Sequence, residues 1–391
     1  MIHSITLQNF HSIKDPVTLS FLVDRYAPKS NAYVDTSDGK RISKVEVIVG
    51  PNASGKTTVL TGLTIIQWLL SMSFLNARYE IDDLMAPHAN DSKKPTVLST
   101  TFQIDEDVFD YTVSSLKGRI IFESLNYTTL NNVRKSKKNI FSREWNKTKK
   151  AYDFEYRKSG LKIPFEDLDT TIVEEASMNA ISATFGEEMT YKVGKYWLNM
   201  VTNIELSKQK LDIYGYQAKS ILSKMSKDSD ESQQFFDEIR GYDKTIQGFN
   251  YKSKKIEFAS KDGGTYELDI NHVSSGTTQL LVVKDKLDQA LKNGSVAIID
   301  EFDAYLHPVW LHELVSQFFD PKINTKNAQL ITSTHNAQVL NLLDKWQINV
   351  ADNKNGFTEL TRLDEIDGVR NDDNFSAGYL GDKYGGIPSI Y

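Results

Sequence analysis

Gly50-Pro51-Asn52-Ala53-Ser54-Gly55-Lys56-Thr57 decides how this chain folds. It matches G-x-x-x-x-G-K-[ST] in full, and its flanks are the ones that pattern needs. Lys44 to Val49, just before it, is a strongly apolar run of strand length. Behind it Val59, Leu60, Leu63, Ile66, Leu69 and Leu70 recur at helical spacing, so the loop joins a strand to a helix. Glycines there let the backbone wrap a phosphate, with successive N–H groups facing its oxygens and the positive helix end aimed at the same point. The candidate binding set is Gly50, Pro51, Asn52, Ala53, Ser54, Gly55, Lys56, Thr57 and Thr58. In this pattern Lys56 reaches the β- and γ-phosphates, and the Thr57 hydroxyl holds Mg²⁺.

Outward from the loop, Ile2 to Leu7 and Val17 to Leu22 read as strands, as do Val97 to Ile104, Val108 to Val113 and Ile120 to Tyr127. From Arg134 to Lys150 the composition turns basic, with Arg134, Lys135, Lys137, Lys138, Arg143, Lys147, Lys149 and Lys150 against Glu144 alone. Asp167 to Gly241 reads as mainly helical, with Met189 to Leu206 amphipathic and a polar break at Asp228 to Glu231. Strands resume at Gly248 to Phe258 and Tyr266 to Ile270, and then VAIID, QLITST and FTELTRL alternate with helices. That alternation implies a mostly parallel, covered sheet. The expected fold class is therefore α/β, with a nucleotide fold split by a mainly helical insertion. Its parts are residues 1–130 with the loop, 131–247 with the basic segment and insertion, and 248–391.

Composition bounds the alternatives. Hydrophobic residues make up 40% and charged residues 25%, ordinary for a chain that buries a core. The formal net charge is −6, so a nucleic-acid surface would have to be a local patch. There is no cysteine, which excludes disulfides and thiolate metal sites and fits a reducing cytoplasm, the expected location. The most apolar stretch, Val59 to Leu75, is broken by Thr61, Thr64, Gln67, Ser71 and Ser73. It is shorter than the ~20 residues of a membrane span, so no membrane association is expected. MIHSITLQNFHSI lacks the layout of a signal peptide.

Three further motifs follow in order. Ser274-Ser275-Gly276-Thr277-Thr278-Gln279 opens a helix carrying Leu280, Leu281, Val283 and Leu287, and its small residues leave the helix N-terminus free for an anion. Val296-Ala297-Ile298-Ile299-Asp300-Glu301 is a buried strand delivering two carboxylates at its end. There Asp300 would position Mg²⁺ and Glu301 would take the proton from an attacking water. Gln329 to Asn336 is an apolar strand ending in Thr334-His335, a place from which a histidine contacts the γ-phosphate.

Walker A, signature, Walker B and switch histidine, in that order, resemble the ABC ATPases, including their RecF and SMC branch. The similarity is greatest to the small ABC-type ATPases of bacterial abortive-infection and phage-defence operons. It is carried by ITLQNFHSI (Ile5 to Ile13), IFSRE (Ile140 to Glu144), Tyr242 to Tyr251, and the C-terminal run from Val273 through IDEFDAYLHP to STHNAQVL. Gly378-Tyr379-Leu380 and Tyr384-Gly385-Gly386-Ile387-Pro388 extend it. Two departures stand out: His11 occupies a position where the family has arginine or lysine, and the signature reads Ser-Ser-Gly-Thr instead of the transporters' Ser-Gly-Gly-Gln.

The resemblance implies ATP and Mg²⁺ as cofactors, hydrolysis as the activity, and catalytic roles for Lys56, Glu301 and His335. It implies two heads closing face to face, a homodimer or higher homo-oligomer in which Ser274 and Gly276 complete the partner's site in trans. A glutamine after the first helix would complete the metal site, and Gln103 in TFQID is the candidate. The first functional expectation is a defence switch acting on a separately encoded nuclease or toxin, since no second acid or histidine cluster with nuclease spacing appears and the tail is short. The alternative is a RecF-like DNA-binding factor using the basic run, with Trp145 and Tyr152 beside it. A transporter subunit is disfavoured by the long insertion, and an SMC tether by the lack of heptads.

Overall fold

The computed structural model describes residues 1–75, 79–130, 136–156, 168–206, 213–304 and 306–387. Arg134, Lys135, Asp167 and Pro388 lie outside them.

Two sheets sandwich the helix that follows the loop. The parallel sheet runs in the order Val201–Thr202, Val296–Ile299, Gln329–Thr334, Val45–Val49, Ile348–Lys354 and Phe357–Arg362. Its first five strands are parallel, and the last turns back antiparallel. Thus the loop strand lies in one sheet with strands almost three hundred residues later, and both acids and histidine emerge at the same edge as the loop. Alternation decides what each face touches. Val45, Val47, Val49, Ala297, Ile299 and Leu330 pack with Leu280, Leu281 and Leu287 of the helix Ser275–Asn293. Ile48, Ile298 and Ile331 pack on the opposite side with Leu60, Leu63 and Ile66 of the loop helix Lys56–Ser71.

That loop helix then meets the second, antiparallel sheet through Ile5, Leu7 and Leu98. Its order is Ala151–Tyr156, Lys138–Asn146, Arg119–Thr129, Asp107–Leu116, Thr96–Ile104, Ile2–Gln8 and Val17–Ser20. From Lys138 onward the basic stretch is therefore part of a hairpin within this sheet, which takes strands from both sides of residue 130. The helical part proper comprises Thr170–Glu175, Met178–Thr184, Glu188–Leu198, Ile213–Lys224 and Asp230–Tyr242. Val193 and Trp197 join the loop helix's core, while Ala218, Leu222, Phe235 and Phe236 join the other one. No described helix is long and apolar enough to cross a membrane.

Three expectations change. The amphipathic reading of Met189 to Leu206 holds only to Leu198; the chain then turns and adds Val201–Thr202 to the parallel sheet. Val17 to Leu22 is broken at Phe21 between Val17–Ser20 and Leu22–Val23, which belong to different sheets. FTELTRL is not a further parallel strand but the return arm of a hairpin with Ile348–Lys354.

Candidate nucleotide site

The loop's shape is set by where side chains cannot be. Gly50 has φ +156 and Gly55 φ +96. A Cβ at Gly50 would sit 2.2 Å from the Ala351 carbonyl oxygen, and one at Gly55 would sit 2.1 Å from Thr358 Oγ1. Both blocking atoms belong to the C-terminal hairpin, which backs the loop from behind. The Asn353 amide donates to the Ala53 carbonyl at 3.1 Å, and Ala53 is itself left-handed at φ 62. The chain's opening joins the same brace: Ser12 accepts the Thr358 N–H at 2.9 Å through its carbonyl, and its hydroxyl pairs with Thr358 at 2.8 Å and Thr58 at 3.1 Å. His11 makes its side-chain hydrogen bond outside the loop, with Nε2 3.1 Å from the Leu84 carbonyl.

The helix that starts at Lys56 has no side-chain cap and no acid in its first turn. Its first N–H groups are thus free to face an anion. Lys56 is buried, with Nζ donating to the Gly50 and Pro51 carbonyls, each at 2.9 Å. Burial pulls its pKa below the usual lysine value, opposed by Asp300, Asp303 and Glu301. The hydroxyl of Ser54 is buried without a hydrogen-bond partner, an unfilled polar position inside the loop.

Opposite the loop stand the acids. Thr57 Oγ1 donates to Asp300 Oδ2 at 2.8 Å, and the Ser333 hydroxyl donates to Asp300 Oδ1. Ser333 also accepts the Glu301 N–H at 2.8 Å. Glu301 is left-handed at φ 50, and the bend turns its carboxylate out to solvent beside Asp300. The carbonyl of Glu301 accepts from Gln279, in the signature helix, at 3.2 Å. His335 emerges next door, exposed, with its backbone N–H held by both Asp303 carboxylate oxygens at 3.0 and 3.1 Å.

The Thr57 hydroxyl and the Asp300 carboxylate are the oxygen donors that a hard divalent cation takes. With the glycine cradle and the unpartnered Ser54 hydroxyl, these residues fit a Mg²⁺–nucleotide.

The signature lies elsewhere on the head. Ser274 caps the helix Ser275–Asn293, accepting the Thr277 N–H at 3.1 Å. With Gly276, Thr277, Asp243, Leu306 and His307 it lines a hollow of 490 Å³ that contains no loop residue. Gln103 is not brought to the site. Register pairs Ile2 with Phe102, and Ile2 N–H meets Gln329 Oε1 at 2.7 Å, so Gln103 sits beside the starts of the parallel strands. Its amide serves Asp105 and His3 instead.

Sequence reasoning missed Ser333, Asp303, Ser12, Thr358 and Asn203. The run Thr332-Ser333-Thr334 at a strand end was a usable signal for the first, and the acid two places after Glu301 for the second. The other three carry no local mark.

A family model described as "AAA domain, putative AbiEii toxin, Type IV TA system" matches residues 46–341. No curated protein matches the chain. Among solved structures the chain is similar to the SMC head domain from Thermotoga maritima, with TM-score 0.42 and 15% identity over 92% of this chain and 98% of that one.

Proposed function

The chain belongs to that AAA-domain family and has the P-loop NTPase fold of ABC type, and from this premise we propose that it is an ATP-hydrolysing switch subunit of a bacterial abortive-infection system, controlling a separately encoded nuclease or toxin. The observation that carries the ATPase part is the 2.8 Å bond between the loop hydroxyl of Thr57 and Asp300, with the exposed Glu301 next to it. The loop N–H groups and Lys56 bind the phosphates, and Thr57 with Asp300 holds the metal. Mg²⁺ held by Thr57 and Asp300 would supply charge neutralisation at the phosphates. Glu301 takes the proton from the attacking water. His335, held by Asp303 at the end of the neighbouring strand, would report whether the γ-phosphate is present.

The donors not supplied by one head come from Ser274 and Gly276 of a second copy, so ATP closes two heads and hydrolysis releases them. A closed and an open pair present different surfaces to an effector, which is what a switch needs. The defence role is supported by the family's description alone and is tested in cells: the operon with Lys56→Ala or Glu301→Gln should lose protection against phage. The enzymatic role is tested in solution. Glu301→Gln should keep ATP binding and lose about 10²–10⁴ in turnover; normal turnover by that variant would sink the assignment.

The RecF-like reading draws less support from the basic hairpin than its composition suggested. Arg143 is buried against Glu123, Lys137 pairs with Asp110, and Lys149 pairs with Asp153. Three of the eight basic residues are thus already paired with acids within the chain.

A further inference from the structure

The segment between the two halves of the nucleotide fold reaches into the metal-binding edge. Val201 pairs with Ala297 and Thr202 with Ile298, and the last ladder contact is the Asn203 N–H to the Ile298 carbonyl at 3.3 Å. Beyond that point the strand Val296–Ile299 has run out, and the peptide groups of Asp300 need other partners. The side chain of Asn203 provides both. Its Oδ1 accepts the Asp300 N–H at 2.8 Å, and its Nδ2 donates to the Asp300 carbonyl at 2.8 Å. A backbone N–H can only donate, so the orientation of the amide is fixed by the Asp300 peptide itself. Nδ2 also donates to the Tyr214 hydroxyl at 2.8 Å. Tyr214 belongs to the first turn of Ile213–Lys224, a helix packed along the signature helix Ser275–Asn293.

Asp300 is therefore held from two sides. Thr57 and Ser333 fix its carboxylate, and Asn203 fixes its main chain. Simple edge pairing would not require this, since a backbone ladder needs no side-chain carboxamide. We propose that Asn203 is a positioning residue for the metal-binding carboxylate of Asp300, and that the Tyr214 hydroxyl ties this clamp to the helix Ile213–Lys224, so that the helical segment sets the metal affinity of the nucleotide site. The inference rests on Asp300 being the metal-binding acid. It acts through the main chain: releasing the peptide lets the carboxylate swing on a bent segment, because Glu301 follows at φ 50.

The test uses the full chain with Mn²⁺ as probe, its affinity measured by electron paramagnetic resonance in the presence of a non-hydrolysable ATP analogue. Analogue binding is measured separately in EDTA. Removing such supporting contacts costs about 10- to 100-fold in metal affinity. Asn203→Ala should therefore weaken Mn²⁺ by at least ~10-fold with analogue binding in EDTA unchanged. Tyr214→Phe keeps the ring and the fold, and should weaken Mn²⁺ in the same direction by a smaller factor. Asp300→Ala is the control. If it leaves Mn²⁺ affinity unchanged, the reading of Asp300 falls and the clamp with it. If Asp300→Ala weakens Mn²⁺ while both other variants bind it like the wild type, only the clamp is overturned. A loss in Asn203→Ala that appears equally in EDTA would mark a purely structural role, and would also overturn it.

Discussion

Ser333→Ala is the sharpest probe of how the acid strand is aligned. Ser333 is fully buried, and its hydroxyl makes two bonds: one donated to the Asp300 carboxylate, one accepted from the Glu301 N–H at 2.8 Å. Only one oxygen is removed, so the cavity left behind is negligible and the effect measures the bonds. A hydrogen bond to a charged group contributes about 1.5–3 kcal/mol, and an N–H left without a partner costs about 1–3 kcal/mol. Asp300 keeps its bond from Thr57, and both acids have access to water, so the lower part of the combined range applies. The expected loss of unfolding free energy is about 2.5–4 kcal/mol. Turnover should fall further than stability alone would require, by about 10-fold or more, because the proposed metal-binding carboxylate of Asp300 and the proposed base Glu301 would both be loosened. Urea unfolding and steady-state ATP hydrolysis, measured on the same preparation at saturating Mg²⁺, give both numbers. Destabilisation with turnover within twofold of wild type would refute the reasoning, leaving Ser333 as a structural residue only.

Ser274→Arg, at an exposed cap, should leave ATP binding to one head nearly intact while stopping nucleotide-driven pairing and hydrolysis. Mixing it with Lys56→Ala should restore part of the activity, and a dead mixture of two folded proteins would count against a shared site. Reversing Lys135, Lys137, Lys138, Lys149 and Lys150 to glutamate should barely change ATP hydrolysis; steeply salt-dependent DNA binding by the wild type, lost on reversal, would instead favour the RecF-like reading. Glu46 is buried in the loop strand with its carboxyl pushed up to about 8 by burial, from an ordinary 4.5. The folded chain holds that proton after the unfolded chain has lost it, so stability should fall as pH rises from about 5 to 8. Glu46→Gln should flatten that slope, and melting curves with unchanged pH dependence would contradict the burial argument.

The parts of this site that could be read from sequence are those whose chemistry is local. The loop, the acid strand and the histidine strand each end an apolar run within a few residues of the functional groups. What could not be read depends on register and on distant partners. Gln103 follows the loop helix at plausible spacing, but only the pairing of Ile2 with Phe102 shows that it faces the wrong end of the sheet. Asn203 lay inside a stretch whose periodicity looked helical, and its partner Asp300 is 97 positions away. Ser12 and Thr358 are 346 apart. One missed element did carry a signal. Asn355-Gly356, both at positive φ, is the dipeptide that closes a tight hairpin, and it marked Ile348–Lys354 as the partner of Phe357–Arg362.

Charge at the site decides what else must come to it. Asp300, Asp303 and Glu301 all act on the Lys56 ammonium. Three carboxylates against one lysine leave these side chains net negative by two (3 − 1 = 2), before a triphosphate adds its own charges. The loop helix offers about half a positive charge at its end, too little to reverse that balance. On the proposed reading, a divalent cation beside Asp300 would therefore be favoured on electrostatic grounds as well as chemical ones. The exposed side of a bound triphosphate would still call for donors, and the proposed reading takes them from the hollow around Ser274 and Gly276, which no residue of its own loop lines. That hollow also holds Asp243, so in the proposed face-to-face pair two heads without Mg²⁺–ATP would set Asp243 against Asp300 and Glu301, and would repel. Self-association without nucleotide should accordingly be weaker at low salt than at high salt, where the repulsion is screened, and Mg²⁺–ATP should reverse the order. Sedimentation velocity at two salt concentrations separates these cases, and tight pairing at low salt without nucleotide would contradict the argument.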